Sequence, residues 1–416
     1  MLPELMIATA VAAFGYHHFA YPALLKLFAN RARRAQATAG YAAPDAATAL
    51  PTVTLPTVTL IVPAHNEQAV MVAKVANLAA LDYDSEKLRV VIACDGCTDQ
   101  TVALARQAVA ALAPPLRIEI VEYRRNLGKV AVLNAQIAAS GSDIVALSDT
   151  SAVLEPDALR RAVRHFTDAT VGVVCPTYRL LQAGSDGERA YWTYQTRIKA
   201  DEALVGAPMG AHGAFYLFQR RLWQPLPADT INDDFMLPMG IVASGYRAVY
   251  DDTIAAVELE TTHPDQEFRR RVRIGAGNLQ QVLRLPALAN PQHPGRAFVF
   301  LSGKGLRPLI PFLAIAAGVA ATSRALEGDS AYQALLLAGL LLLAVAGYAI
   351  SHRHRKLPRA AIWLGYLVEG YAASLLGACR YAIGLDGKPW TRAQTLPTPT
   401  ITTLTKEFSD HVNART

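Results

Sequence analysis

The chain has 416 residues, 52% of them apolar and only 18% charged, with a net charge of +6. Soluble domains carry about 25% charged residues, so a chain built from soluble domains alone is excluded. The apolar content also excludes disorder, and four cysteines are too few for a disulfide scaffold. A pure membrane bundle is excluded as well, because most charged residues crowd into the middle of the chain.

Residues 1–30 form the first apolar stretch, strongest over 5–28 and interrupted by His17, His18 and Lys26. The basic cluster Asn30-Arg-Ala-Arg-Arg34 follows it, where a cleavable signal would carry its charge in front; an uncleaved anchor is expected. Residues 31–57, rich in Ala, Thr and Pro, read as a linker or interfacial segment. Between 58 and 285 short β-rich runs at 58–63, 88–93, 117–122 and 144–147 alternate with helical stretches at 67–81, 101–113 and 129–139. That alternation predicts an α/β domain with a doubly wound, mainly parallel sheet. Residues 286–307 are expected to be interfacial.

Three α-helical membrane segments are expected within 308–384, at 308–323, 331–350 and 362–383, the last with Glu369 in its middle. The basic loop Ser351-His-Arg-His-Arg-Lys356 puts that side, and with it the 58–285 domain, in the cytosol. Residues 385–416 form a polar tail.

Each strand ends in a polar cluster: Ala64-His-Asn-Glu67, Asp95-Gly-Cys-Thr-Asp99, Arg124-Arg-Asn-Leu-Gly-Lys129 and Ser148-Asp-Thr-Ser151. In an α/β sheet ligands bind beyond the carboxyl ends of the strands. A rim of carboxylates, amides, Lys and Arg suits a phosphorylated ligand with a divalent cation. No G-x-G-x-x-G or P-loop follows the first strand, which disfavours dinucleotide oxidoreduction and P-loop ATP hydrolysis. Cys94 and Cys97 read as small residues in a tight loop, and no aromatic-basic repeat points to nucleic acid.

These clusters resemble, in order, those of the family 2 glycosyltransferases with a GT-A fold, specifically the membrane-embedded inverting branch. That branch includes synthases of hyaluronan, chitin oligosaccharides, cellulose and poly-N-acetylglucosamine. The resemblance runs through Val62-Pro-Ala-His-Asn-Glu67, Ala93-Cys-Asp-Gly-Cys-Thr-Asp99, Arg125-Asn-Leu-Gly-Lys129 and Leu147-Ser-Asp-Thr-Ser151. It continues through Gly210-Ala-His-Gly-Ala-Phe215, Ile231-Asn-Asp-Asp-Phe235 and Phe268-Arg-Arg-Arg-Val-Arg-Ile274.

The resemblance implies a donor nucleotide sugar, UDP-linked, and a glycan or lipid acceptor at the cytosolic membrane face. It implies Pro63, His65 and Glu67 around the base, with Asp95 on the uracil or ribose edge. Lys129, Arg270 and Arg273 fall to the phosphates, and Asp149 to a divalent ion, Mg2+ or Mn2+. The family's Asp-x-Asp has Ser151 at its third position here. Asp234 is the implied general base, with Asp233 beside it as an orienting carboxylate or a helix cap. His212 and Gly213 border the acceptor. Ile274 stands where processive members carry tryptophan, so a single-transfer glycolipid enzyme stands beside a processive polysaccharide synthase. A non-catalytic nucleotide-sugar-binding subunit is the alternative from another class. No secretion or assembly partner is identifiable.

Overall fold

Strand β1, Val58–Ala64, is buried along its whole length, so its β-branched residues feed both faces of a sheet. In the computed structural model, residues 1–38, 55–112, 116–181, 186–259, 264–352, 355 and 357–385 are described. Most of the expected linker and of the polar tail, and three residues of the basic loop before the last helix, lie outside them.

Chain order begins with α1 (Leu2–Gly15), a π-helical turn (Tyr16–Ala20) and α2 (Tyr21–Thr38). After β1 come α3 (Met71–Ala79), β2 (Leu88–Asp95), α4 (Thr101–Ala110), β3 (Ile118–Tyr123), α5 (Lys129–Ala138) and β4 (Ile144–Leu147). The four predicted strands and three predicted helices are thus all present. The first helix starts later than its periodicity predicts. Asn66 is left-handed (φ 57°), and Thr101 Oγ1 takes the Glu67 amide at 2.7 Å, which keeps the chain out of the helix until Met71.

The second half adds β5 (Ala152–Leu154), α6 (Ala158–Val163), β6 (Val171–Leu180), α7 (Asp186–Val205), β7 (Tyr216–Gln219), α8 (Asp233–Ala243) and β8 (Arg247–Glu258). Eight strands form one sheet in the order β3-β2-β1-β4-β7-β6-β8-β5. The expected parallel pairing holds for β3-β2-β1-β4. Beyond β4 the sheet is mixed: β7 runs antiparallel to β4 and β6, β8 pairs parallel with β6, and β5 antiparallel with β8.

The remaining helices are α9 (Pro264–Arg284), α10 (Pro294–Val299), a π-helical turn (Phe300–Gly305), α11 (Ile310–Leu326), α12 (Ser330–Ser351) and α13 (Arg359–Ala382). Among the described residues α12 and α13 are long and apolar enough to cross a membrane. A third span is added if Pro294–Gly305 and α11, bent by 56°, count as one. Leu337 and Leu340 of α12 are 70% and 64% exposed, an apolar surface with no protein cover. The expected N-terminal anchor is helical but divided by its π-helical turn, and it is not among the helices that meet this criterion.

Two apolar layers flank the sheet. One packs Val58, Leu60 and Val62 against Met71, Val75 and Leu78 of α3. The other joins Ile61, Leu133 and Phe218 to Phe235 of α8 and, unexpectedly, to Tyr21 and Leu25 of α2 and Val299 and Phe300. Full burial of a leucine such as Leu25 contributes roughly 2 kcal/mol, so the N-terminal helices are part of the domain's own core.

Candidate active site

The strand ends of β1 and β4 and the starts of α5 and α8 converge on one cleft. Pro63, Lys129, Asp149, Gly213, Tyr216 and Asp233 are among the residues that line it. Lys129 sits at its centre. Its ammonium lies 3.0 Å from Asp149 Oδ1 and 3.4 Å from Asp233 Oδ2. Burial alone would lower the Lys129 pKa, but Asp149, Asp233 and Asp234 outweigh it and hold the ammonium firmly protonated.

The placement of Lys129 is the work of Asp95. That carboxylate is fully buried, and it accepts from the Leu127 amide at 2.7 Å and the Gly128 amide at 2.8 Å. Both oxygens therefore hold the loop that starts α5. His65 is likewise turned inward, with Nδ1 2.6 Å from the Asp95 carbonyl oxygen and Nε2 3.3 Å from Asn126 Nδ2. Pro63 lines the cleft, while its carbonyl accepts from Thr150 Oγ1. The partly exposed Glu67 lies on the turn before α3, its carbonyl receiving the Val70 and Met71 amides.

Asp149 lies in the four-residue loop between β4 and β5. A Cβ at Gly213 would lie 2.9 Å from Asp149 Oδ2, so the 210–215 loop passes this close because that residue is glycine. Asp233 and Asp234 open α8, where the helix dipole favours negative charge. Asp233 turns to Lys129, and among the described residues neither it nor Asn232 makes a side-chain capping bond. Burial, and then the charge of Asp233, push the Asp234 pKa up against Lys129 and Lys199. The Asp234 carbonyl accepts from the Ala211 amide, which ties α8 to the 210–215 loop. There His212 stacks on Tyr178 with ring centroids 5.2 Å apart, and burial keeps its imidazole neutral.

The two arginines assigned to the phosphates sit on α9. Arg273 reaches the Ile231 carbonyl at 3.3 Å, one residue before Asn232. Arg270 is half-buried, faces Glu267 at 3.6 Å and is not among the residues that line the cleft. Arg271, which no motif singled out, turns to α13. It bonds Glu267 at 3.0 Å and Glu369 at 3.4 Å and covers the Tyr366 ring at 4.0 Å.

Two further residues escaped the sequence reading. Lys74 is fully buried in α3, and its ammonium donates to Ser148 Oγ at 2.7 Å and to the Ala152 carbonyl at 2.6 Å. It props both ends of the Asp149 loop, and Ser148 Oγ in turn donates to the Ala214 carbonyl. A lysine at the helical spacing of Met71, Val75 and Leu78 was the available signal. Tyr216 of β7 presents a buried hydroxyl that has no hydrogen-bond partner among the described residues.

Asp149, Asp233 and the orphaned Tyr216 hydroxyl are hard oxygen donors of the kind Mg2+ or Mn2+ takes. Among the described residues no three His, Cys, Asp or Glu side chains converge to hold a metal by themselves. The set fits an ion completed by substrate phosphates and water, the usual manner of Mg2+ sites.

The family model described as glycosyltransferase like family 2 matches residues 56–277, more than half of the chain. The chain belongs to this family. As such it carries a glycosyltransferase domain. An N-acetylglucosaminyltransferase of Rhizobium leguminosarum bv. viciae is 24% identical to it over 259 residues, which cover 58% of this chain and 59% of that protein. The beta-monoglucosyldiacylglycerol synthase of Synechocystis sp. is 36% identical over 123 residues, 30% of this chain and 26% of that one. The glycosyltransferase thus spans less than two thirds of either relative. Among solved structures, the mannosyltransferase PcManGT from Pyrobaculum calidifontis, in complex with GDP-Man and Mn2+, superimposes with a TM-score of 0.67 at 24% identity. The match covers 91% of this chain and 99% of that one, and it shows the shared GT-A fold.

Proposed function

We propose that the glycosyltransferase is an inverting enzyme at the cytosolic face of a membrane, moving a sugar from a UDP-sugar to a lipid or glycan acceptor. The observation that carries this reading is the gathering of Asp149, Asp233 and Asp234 around Lys129 beside the Gly210–Phe215 loop. Asp234, its pKa raised by burial, takes the proton of the acceptor hydroxyl as the oxygen attacks the anomeric carbon. The bond to the diphosphate breaks on the opposite face, and its electron pair leaves with the nucleotide. Lys129 meets the charge that grows on the diphosphate, and Arg273 is the arginine within reach of the same end of α8. Asp149 would hold a divalent ion, whose charge would offset that of the leaving group. Pro63 and Glu67 border the base, Asp95 and His65 hold the loops that frame it, and His212 and Gly213 flank the acceptor. The outward apolar faces of α12 and α13 support a multi-pass membrane location.

Ile274 in the tryptophan position favours single transfer over processive synthesis. A panel of UDP-sugars and GDP-mannose with the purified chain, read as nucleotide release with and without chelator, tests the reading. Release from none of them, with lipid acceptors present, would refute it.

A further inference from the structure

The two π-helical turns, Tyr16–Ala20 and Phe300–Gly305, face each other at the seam between the N-terminal helices and the catalytic core. Tyr16 Oη lies 2.7 Å from Ser302 Oγ, and His17 Nδ1 lies 3.0 Å from the Ser302 carbonyl. π-helical turns occur often at functional sites. The second one carries Lys304, whose ammonium lies 5.3 Å from the ring centroid of Phe235, the residue after Asp234. Lys199 approaches from α7, bonded to the Gly210 carbonyl at 2.5 Å. Arg307 stands in the bend between the turn and α11.

Among the described residues none of Lys199, Lys304 and Arg307 forms an ion pair, and Lys304 and Arg307 make no side-chain hydrogen bond. The nearby acids do not balance them. Glu202 is buried, accepts from Tyr21 Oη at 2.9 Å and the Met209 amide at 3.2 Å, and burial pushes its pKa up. Three basic side chains therefore share two nearby carboxylates, with no ion pair between them among the described residues. Unpaired cations in a semi-buried site are costly unless an anion joins them. Beside them Leu301, Leu309 and Phe312 are 51%, 50% and 40% exposed. Cations next to bare apolar side chains match a ligand with a charged head and a hydrocarbon tail.

We propose that Lys304, with Lys199 and Arg307, binds the phosphate of a lipid acceptor and so brings a hydroxyl of its head group to Asp234. This rests on Asp234 as the base. The head-group oxygen gains the bond to the anomeric carbon, its proton goes to Asp234, and the nucleoside diphosphate leaves with the electron pair. The phosphate is held and does not react.

Native mass spectrometry of the full chain in detergent tests the proposal with three probes. Phosphatidylglycerol has phosphate, hydroxyl and tails; diacylglycerol lacks the phosphate; glycerol 3-phosphate lacks the tails. Phosphatidylglycerol is expected to bind at least about tenfold more tightly than either of the others. Lys304→Gln is expected to weaken it about tenfold, as the loss of a charge-assisted contact should, and Lys304→Arg to restore it. Arg34→Gln, on the exposed end of α2, controls for diffuse attraction and should change nothing. Retained UDP binding shows that each variant is folded. Diacylglycerol binding equal to phosphatidylglycerol, or an unaffected Lys304→Gln, overturns the proposal. Glycerol 3-phosphate binding equally well overturns its lipid half. Asp234→Asn should keep phosphatidylglycerol while losing transfer, so the failure of the base assignment and the failure of this site give different results.

Discussion

Lys129 and Asp149, twenty residues apart, meet 3.0 Å from each other across the ends of α5 and β4, with Asp233 only slightly farther from the same ammonium. One cation thus holds together carboxylates from the β4–β5 loop and the first turn of α8. Its removal leaves them facing each other without a counter-charge. Lys129→Gln is expected to raise KM for the nucleotide sugar by roughly 10- to 100-fold, the loss of a charged contact to phosphate. Calorimetry with UDP should show a matching loss of affinity. Unchanged UDP binding would remove Lys129 from the phosphate site.

Asp234 keeps its proton to higher pH than a free carboxyl, whose pKa is about 4. Transfer requires the ionised form, so the rate should climb with pH through a midpoint above about 4 and then level. Asp233→Asn removes a neighbouring negative charge and should move that midpoint down. Asp234→Asn should lower kcat by about 10²- to 10⁴-fold with UDP binding intact. Undiminished turnover in that variant contradicts the assignment.

Lys74 offers a pH test of a different kind. Burial lowers its pKa to about 7, against the pull of Asp149 and Glu258. Between there and roughly 10.4, the unfolded chain holds a proton that the folded one has lost, so stability contributed by this site rises with pH across that window. Lys74→Met has no such group. Its melting temperature should match or exceed the wild type at pH 6.5 and lose ground to it by pH 9. Activity should fall at least about tenfold at every pH, because the Asp149 loop loses both props. A constant difference in melting temperature would argue against the buried, titrating lysine.

Gly213→Ala places a methyl 2.9 Å from Asp149 Oδ2. Either the loop or the carboxylate must shift by a few tenths of an ångström. We expect kcat to drop roughly 10- to 100-fold with little change in melting temperature. Wild-type kinetics would mean that the loop yields without disturbing the site.

Glu369→Gln tests the link to α13. The change leaves Arg271 with Glu267 and the Tyr366 ring but without its α13 carboxylate. A loss of about 2 kcal/mol is expected, seen as a lower melting temperature in detergent.

Much of this site could be read from the chain because strand ends in an α/β sheet share one rim. Knowing where β1, β3 and β4 stop was enough to bring Pro63, Lys129 and Asp149 together. The direction of a side chain at that rim was not readable. Asp95 and His65 look like ligand contacts in the sequence, yet both turn inward to backbone partners at the ends of neighbouring strands. Lys74 hid in an apolar stripe, where a lysine looks like an interruption of the core. The sheet beyond β4 was missed for a topological reason. β6, β7 and β8 are separated by long helices and loops and pair out of sequence order, so no local alternation marks them. The Lys199–Lys304 pairing comes from elements about a hundred residues apart, which no spacing rule connects.

Helix α9 touches both ends of this enzyme. Gly377 of α13 faces the Val272 carbonyl so closely that a methyl there would overlap it. A few turns farther along α9, the fully buried Gln280 accepts from the Ile231 amide and donates to the Asp229 carbonyl, each at 2.9 Å, just ahead of Asp233 and Asp234. A span whose tilt follows bilayer thickness would pass that tilt along a stiff rod to the proposed base. On the reading that α13 crosses a membrane, the thickness of the host bilayer becomes a setting on catalysis, and lipid chain length an experimental dial for it.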